Sequence, residues 1–160
     1  MAVPLVGELT KTESQRMIVV AKDIGKEWSS TEPVANEDFL RPVVEGDYAH
    51  VRLHHHNATS EVYIDCVLMI YEDNETANQS YALIGSDLQT NNTSMGAADL
   101  GDHSELFMAE DEGAEGWLRS LLVVEGLYVV YIEAKELGPT GEVDLSLLLE
   151  MGEAQLEKLA

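Results

Sequence analysis

The stretch WLRSLLVVEGLYVVYIEAKEL, residues 117–137, carries the strongest secondary-structure signal in the chain. Two runs rich in Val, Leu, Ile and Tyr stand on either side of Glu125-Gly126, and such runs are typical of β-strands. Glycine accepts the positive φ that a tight connection between strands needs. The stretch therefore predicts an antiparallel hairpin with Gly126 in its turn.

A second hairpin is predicted upstream. The segments YAHVRLHHH, residues 48–56, and EVYIDCVLMIYED, residues 61–73, each alternate apolar with polar side chains. A period of two is the mark of a half-buried strand, and the turn-forming residues NATS, 57–60, separate the two runs. The apolar side chains of both runs are expected in the core.

The remaining segments complete a β-rich pattern. Shorter strands are predicted at 81–88, 106–109 and 142–151, with a long polar loop at 89–105, while residues 13–28 fit either a helix or a strand. We therefore predict an all-β fold: an antiparallel β-sandwich, jelly-roll-like, with an extended or partly helical N-terminal segment. Residues 1–44 are expected to form an N-terminal arm packing on the core, and residues 45–160 the β-sandwich domain.

Charge is the extreme feature of the composition. The chain has 30 Asp and Glu against 9 Lys and Arg, a formal net charge of −21. Such a field repels nucleic acid and anionic lipid, so neither is predicted as a partner. Because the acids are dispersed along the chain, we interpret them as an adaptation to high salt. The alternative is an acidic protein that binds divalent cations.

The first residues, MAVPLVGELTKTES, lack the basic and apolar regions of a secretion signal. We therefore expect a chain that is made without export, or one from which processing has removed a signal. No apolar run approaches the length of a bilayer span, so no membrane association is predicted.

Six residues are candidate metal ligands. His50, His54 and His56 share one strand face, and two histidines two positions apart lie at roughly 6–7 Å, a separation that suits a transition metal. Arg52 lies between them and opposes a bound cation, so a polar strand end is the alternative. Asp99, Asp102 and Glu105 follow one another at intervals of three and could contribute to a calcium site, with a solvated loop as the alternative. No other cofactor is predicted.

Catalytic residues are not apparent. The chain has no G-x-S-x-G motif, its single cysteine, Cys66, falls in an apolar run, and the neighbours His103 and Ser104 do not define a triad. We predict that the protein is not an enzyme. Trp28, Trp117 and the tyrosines, of which Tyr63 and Tyr71 share a strand face, suggest carbohydrate stacking, with core packing or an interface as the alternative.

Five N-x-S/T sequons begin at asparagines in predicted turns or loops: Asn57, Asn74, Asn78, Asn91 and Asn92. They require exposure to a glycosylation machinery and so favour a secreted or surface protein. Because Asn, Ser and Thr are common in loops, chance is the simplest source of most of them, and the sequons leave the localisation undecided.

The closing segment GLYVVYIEAKELGPTGEVDLSLLLEM, residues 126–151, resembles the last two strands of extracellular and virion β-sandwich modules. Together with the acidic composition, it makes the chain similar to small β-sandwich structural proteins of haloarchaeal tailed viruses. The resemblance implies a virion subunit adapted to high salt, a capsid decoration, turret or tail part, that works as a homo-oligomer or with other assembly proteins. The alternative is a secreted or cell-surface β-sandwich module that binds glycan or calcium.

Overall fold

The computed structural model describes residues 11–35, 44–56, 61–109, 117–137 and 145–160. Within these ranges, seven strands form one antiparallel sheet in the order β1-β2-β3-β7-β6-β5-β4. The strands are β1 (Trp28–Ser30), β2 (Asp47–His56), β3 (Glu61–Ile70), β4 (Asn92–Gly96), β5 (His103–Ala109), β6 (Trp117–Glu125) and β7 (Tyr128–Leu137).

Helices lie before, between and after the strands. They are α1 (Glu13–Met17), a short 3-10 helix (Ala21–Asp23), α2 (Asn74–Leu88) and α3 (Leu145–Leu159). Thr12 and Gln15 form a capping box at the start of α1, and the Asp73 carboxylate accepts the Thr76 N–H at the start of α2. None of the helices in the described ranges combines the length and the apolar character that crossing a bilayer requires.

Both predicted hairpins are confirmed. β2 pairs with β3 and β6 pairs with β7, in continuous antiparallel registers. Gly126 adopts φ 57°, the left-handed conformation that the tight β6–β7 turn needs. The predicted turn at 57–60 lies outside the described residues.

The predicted C-terminal strand at 142–151 is wrong, since residues 145–159 form α3. Period-two alternation was misleading because this leucine-rich segment also fits a helical period: Leu148, Met151, Gly152 and Gln155 are its buried residues. From Leu145 to Ala160 the segment has no β-branched residue, and its Leu, Glu, Met, Gln and Lys are good helix formers. That composition was the signal for a helix.

The predicted strand at 81–88 is also wrong, because it forms the second half of α2. The Asp73 cap starts the helix earlier, in the polar stretch before it, and the chain then continues as one helix to Leu88. In addition, the loop predicted at 89–105 contains the edge strand β4 and the first residues of β5.

The sheet separates two apolar clusters. On one face, α3 and the N-terminal residues Ile18 and Val19 cover β2, β3, β6 and β7. On the other face, Ala77 and Ile84 of α2 pack with residues such as Phe107. The antiparallel β-rich fold with a partly helical N-terminal segment is confirmed, and the layers on the two sides of its single sheet are helices.

The described part of the N-terminal segment is built into the fold. β1 forms the edge of the sheet beside β2, and Val34 exchanges two backbone hydrogen bonds with His50, at 2.8 and 3.0 Å. Ile18 and Val19 are fully buried. The segment therefore contributes both a strand and core residues to the domain.

Candidate functional site

A row of polar side chains crosses the centre of the sheet. Arg52 on β2 lies opposite Asp65 on β3, which lies opposite Glu133 on β7, which lies opposite Ser120 on β6. Because directly paired residues of antiparallel strands project on the same side, these four side chains share the face on which α2 packs. Polar groups in the middle of a sheet face are costly to bury, so each must find a partner.

Asp65 is the centre of an ion cluster. Arg52 donates to it through two nitrogens, Nε to Oδ1 at 2.9 Å and Nη2 to Oδ2 at 3.1 Å, and His50 Nε2 lies 2.7 Å from Oδ1. Burial opposes ionisation of Asp65, but the hydrogen bonds from His50 and Arg52 outweigh it and lower the pKa of the carboxyl group. The Arg52 side chain is 54% exposed while that of Asp65 is 10% exposed. The cluster thus presents a fixed guanidinium to solvent above a buried carboxylate.

Glu133 has the opposite electrostatic environment. Burial raises its pKa, and the negative charge of neighbouring Asp65 raises it further. The Tyr131 hydroxyl is hydrogen-bonded to both Glu133 and Ser120, and burial also raises the pKa of Tyr131. Two carboxyl groups on adjacent strands therefore have opposite pKa shifts: the pKa of Asp65 is lowered because the hydrogen bonds from His50 and Arg52 outweigh burial, and the pKa of Glu133 is raised by burial and by Asp65, although it accepts a hydrogen bond from the Tyr131 hydroxyl.

An aromatic pair lies beside this row. The rings of His54 and Tyr63 stack with their centroids 4.6 Å apart and their planes 8° apart. Tyr63 is directly opposite Lys135 on its other side. All three side chains are half-buried. We name the whole surface the polar face and define it by seven side chains: His50, Arg52, His54, Tyr63, Asp65, Glu133 and Lys135.

Sequence reasoning found only part of the polar face. It placed His50, Arg52 and His54 on one strand face, and the alternation predicted for residues 61–73 puts Tyr63 and Asp65 together on the polar side of the second strand, but it missed Glu133 and Lys135. The available signal was the alternation in YVVYIEAKEL, where polar residues at 131, 133 and 135 lie between apolar neighbours.

The histidine triplet divides between the two sides of the sheet. His50 contacts Asp65 and His54 stacks on Tyr63, so each imidazole lies against a neighbouring side chain of the sheet. His55 lies on the other side, 4.7 Å from the Trp28 ring. The His56 side chain lies outside the described residues. The structure therefore places His50 and His54 within an ion and aromatic cluster that includes the cation Arg52.

The three candidate acids line one groove of about 660 Å³ together with Tyr81 and His103. The carboxylate of Asp102 accepts the Gly126 N–H at 2.8 Å and supports the β6–β7 turn. Glu105 accepts from the Ser94 hydroxyl at 2.8 Å. In the part of the chain that the structure describes, no group of three or more His, Cys, Asp or Glu side chains is arranged to hold a metal ion.

The candidate nucleophiles have structural surroundings. Cys66 is fully buried on the side of the sheet opposite the polar face, and burial raises the pKa of its thiol to about 12. Ser104 Oγ accepts the N–H groups of Ala98 and Leu100 and orders the loop before β5. Of the aromatic residues, Tyr71 is buried and Trp28 is half-buried, while the Trp117 side chain lies outside the described residues.

Basic residues are concentrated at the β1 edge. A groove of about 510 Å³ is lined by Lys11, Arg16, Lys22 and Lys158, four of the nine Lys and Arg in the chain, and by the acid Glu32. Lys158 donates to Asp23 at 2.7 Å and to the Ile18 carbonyl at 2.8 Å, while Arg16 and Lys22 are exposed. We name this surface the basic groove.

Comparison with known proteins identifies a fold and no family. No family model and no curated protein matches the chain. Among solved structures, the extracellular domain of PknH from Mycobacterium tuberculosis is similar, with a TM-score of 0.56 and 8% sequence identity over 90% of this chain and 91% of that one. At this identity the similarity concerns the fold alone.

Proposed function

We propose that this chain is a non-enzymatic module of an extracellular or cell-surface protein, and that it binds carbohydrate on the polar face. The observation that carries the proposal is the stacked His54–Tyr63 pair next to the Arg52–Asp65 ion cluster. Sugars present apolar C–H surface and hydroxyl groups side by side. An aromatic pair bordered by a guanidinium, carboxyl groups and an ammonium offers contacts for both.

The electrostatics of the polar face support binding of a neutral, hydroxyl-rich ligand. Asp65 and Glu133 carry acceptor oxygens, and Arg52 and Lys135 donate only. A hydroxyl group both donates and accepts, so it can pair with any of these groups. A site of this kind usually orients its ligand with a small number of fixed polar groups, and the two-point contact between Arg52 and Asp65 fixes the guanidinium.

The same contacts argue for binding rather than catalysis. Both oxygens of Asp65 are occupied by Arg52 and His50, so this carboxylate is poorly placed to attack a substrate. Ser120 is buried and bonded to Tyr131, and Cys66 is on the opposite side of the sheet. The fold similarity to an extracellular domain agrees with exposure outside the cell.

The experiment is a screen against an array of neutral and acidic oligosaccharides, followed by calorimetric titration of the best ligand. We expect saturable binding that Arg52→Ala and Tyr63→Ala each weaken about tenfold or more, a loss of about 1.4 kcal/mol. Glu105→Gln, which changes a carboxyl group on β5 outside the polar face, is the control and should bind like the unmodified chain. Binding that survives both changes, or no saturable binding to any sugar, would contradict the proposal.

Assembly in a virion or surface layer is the second candidate function. The basic groove favours it, because the exposed Arg16 and Lys22 in this groove of a −21 chain could receive the acidic surface of a neighbouring copy, while Lys11 and Lys158 contact Glu32 and Asp23. Such a contact would require salt to screen the repulsion between the copies.

Native mass and light scattering in molar salt test this second candidate. In molar salt we expect oligomers, and we expect them to dissociate in dilute buffer with chelator. The double substitution Arg16→Glu and Lys22→Glu should prevent the oligomers from forming in molar salt. A chain that is monomeric in molar salt, or an oligomer unaffected by both the dilution of salt and the double substitution, would exclude it.

A further inference from the structure

The asparagines of this chain are distributed in an unusual way. Of its six asparagines, five begin an N-x-S/T sequon, and Asn36 is the exception. Ser and Thr account for 18 of 160 residues, so random order would place one of them two positions after about one asparagine in nine. Random order over the whole chain thus predicts fewer than about one sequon, so overall composition alone does not account for five.

Four of the five sequons lie on α2 or directly after it, two at its start and two past its end, and we name residues 74–94 the α2–β4 flank. Asn74 and Asn78 are four residues apart on the first turns of α2, a spacing that puts them on the same side of the helix. Asn91 lies in the turn after α2, and Asn92 begins the edge strand β4. Asn74, Asn78 and Asn91 are exposed, and Asn92 is half-buried.

We propose that this flank is N-glycosylated, with Asn74 and Asn91 as its principal acceptors. In this modification the side-chain Nδ2 attacks the anomeric carbon of a lipid-phosphate-linked oligosaccharide. A C–N bond forms, the C–O bond to the phosphate breaks, the lipid phosphate leaves, and Nδ2 loses one of its two protons. The proposal shares with the proposed function only the exposure of the chain outside the cell.

The surroundings of each sequon distinguish the acceptors. The asparagine is exposed at both Asn74 and Asn91. The hydroxyl-bearing residue of the sequon is exposed at Thr93, whereas Thr76 is half-buried and its side chain is hydrogen-bonded to the Asp73 carboxylate. Asn92 donates its Nδ2 to the Leu88 carbonyl at 2.8 Å and is half-buried, so it is less accessible than Asn91.

The sequon at Asn78 differs because its third residue is inside the protein. Ser80 is buried and its hydroxyl is bonded to that of Tyr71 at 2.5 Å. The folded chain therefore hides part of what the modifying enzyme reads, and Asn78 is accessible to it only before α2 packs on the sheet.

The position of this flank gives the glycans a structural consequence. β4 is the last strand of the sheet, at the opposite edge from β1. Bulky hydrophilic sugars at its start would hinder pairing of this edge with another chain. The polar face is formed by β2, β3 and β7, whereas these sequons lie on α2, in the turn after it and on β4.

The test is intact-mass and glycopeptide mass spectrometry on the protein purified from the organism that produces it. We expect sugar masses on Asn74 and Asn91. Thr76→Ala should remove the first and Thr93→Ala the second, while Ser94→Ala, which destroys only the sequon of Asn92, leaves both in place. Thr76→Ser and Asn36→Gln are the controls, because they preserve every sequon. Both variants should carry the same mass of attached sugar as the unmodified sequence.

Unmodified Asn74 and Asn91 in the native protein would overturn the proposal, as would sugar that persists on them in the Thr76→Ala and Thr93→Ala variants. This outcome is separate from the carbohydrate-binding test, which uses protein made in a host without N-glycosylation. The glycosylation proposal can therefore fail while the carbohydrate-binding proposal stands, and the reverse is also true.

Discussion

At the scale of single residues, several polar groups of this protein find their partners on other secondary-structure elements. Arg52 reaches Asp65 across one strand pair, and Gln155 of α3 reaches the N-terminal segment. Such groups are expensive to bury without a hydrogen bond, so their partners contribute to stability as well as to function.

Asp65→Asn is expected to destabilise the protein. The substitution removes the charged acceptor of Arg52 and His50, at a cost of about 1–3 kcal/mol at neutral pH, because exposed Arg52 can regain water while His50 cannot do so fully. The free energy of unfolding, measured by urea denaturation monitored by circular dichroism, gives the result. An unchanged unfolding midpoint would show that the ion cluster contributes nothing to stability.

The pH dependence of stability should differ between Asp65 and Glu133. The pKa of Asp65 is lowered by folding, so its contribution is present above the pKa of the unfolded chain and is lost as pH falls through the folded value. The pKa of Glu133 is raised, so stability falls as pH rises from the unfolded value to the folded one. Glu133→Gln should therefore raise the thermal midpoint at neutral pH and have little effect on it in acid. An equal shift of the midpoint at both pH values would contradict a raised pKa of Glu133 in the folded chain.

Gln155 is a second residue whose role depends on the folded structure. It accepts the Val19 N–H at 2.9 Å and donates to the Met17 carbonyl at 2.9 Å, inside the core. Gln155→Leu leaves both backbone groups without this partner and should cost about 2–4 kcal/mol. Chemical denaturation measures the loss. Gln79→Leu, at an exposed position of α2, is the control and should change stability by less than about 0.5 kcal/mol.

At the scale of secondary-structure elements, helices provide the layers that enclose the sheet. α3 covers one face through Leu148 and Met151, and α2 covers part of the other. α2 packs on the half of the sheet that contains β6, and the polar face extends over β2 and β3 beyond it. The placement of one helix thus decides which polar side chains stay accessible.

The contact of α3 with the sheet can be measured by truncating its central side chain. Leu148 is fully buried, so Leu148→Ala should lower the free energy of unfolding by about 2–5 kcal/mol. Leu83 on α2 is 40% exposed, so Leu83→Ala should change the free energy of unfolding by less than about 1 kcal/mol. Equal losses at the two positions would contradict the packing of α3 on the sheet.

At the scale of the whole molecule, charge is the dominant property. A net charge of −21 on one domain makes the folded chain repel itself, and salt screens that repulsion. The four cations of the basic groove are the main local exception to this field.

Stability should therefore rise with salt. Between 0.1 and 2 M KCl we expect the thermal midpoint to increase by more than about 2–4 °C, the shift that 1 kcal/mol produces in a domain of this size. A variant with four exposed acids neutralised should need less salt: Glu72→Gln, Asp87→Asn, Glu153→Gln and Glu157→Gln. If calorimetry shows the same salt dependence for both proteins, general solvent effects rather than charge repulsion account for it.

The sequence by itself determined the two hairpins, the positive φ of Gly126 and the acidic surface, because strand alternation, turn chemistry and net charge are local or additive properties. It also aligned His50, Arg52 and His54, since a strand fixes side-chain parity. The assignment of α2 and α3 failed where leucine-rich or polar segments satisfied two periods at once. Only the tertiary structure brought Glu133 and Lys135 beside Asp65 and Tyr63, because the order of strands in the sheet depends on long-range packing that no local pattern encodes.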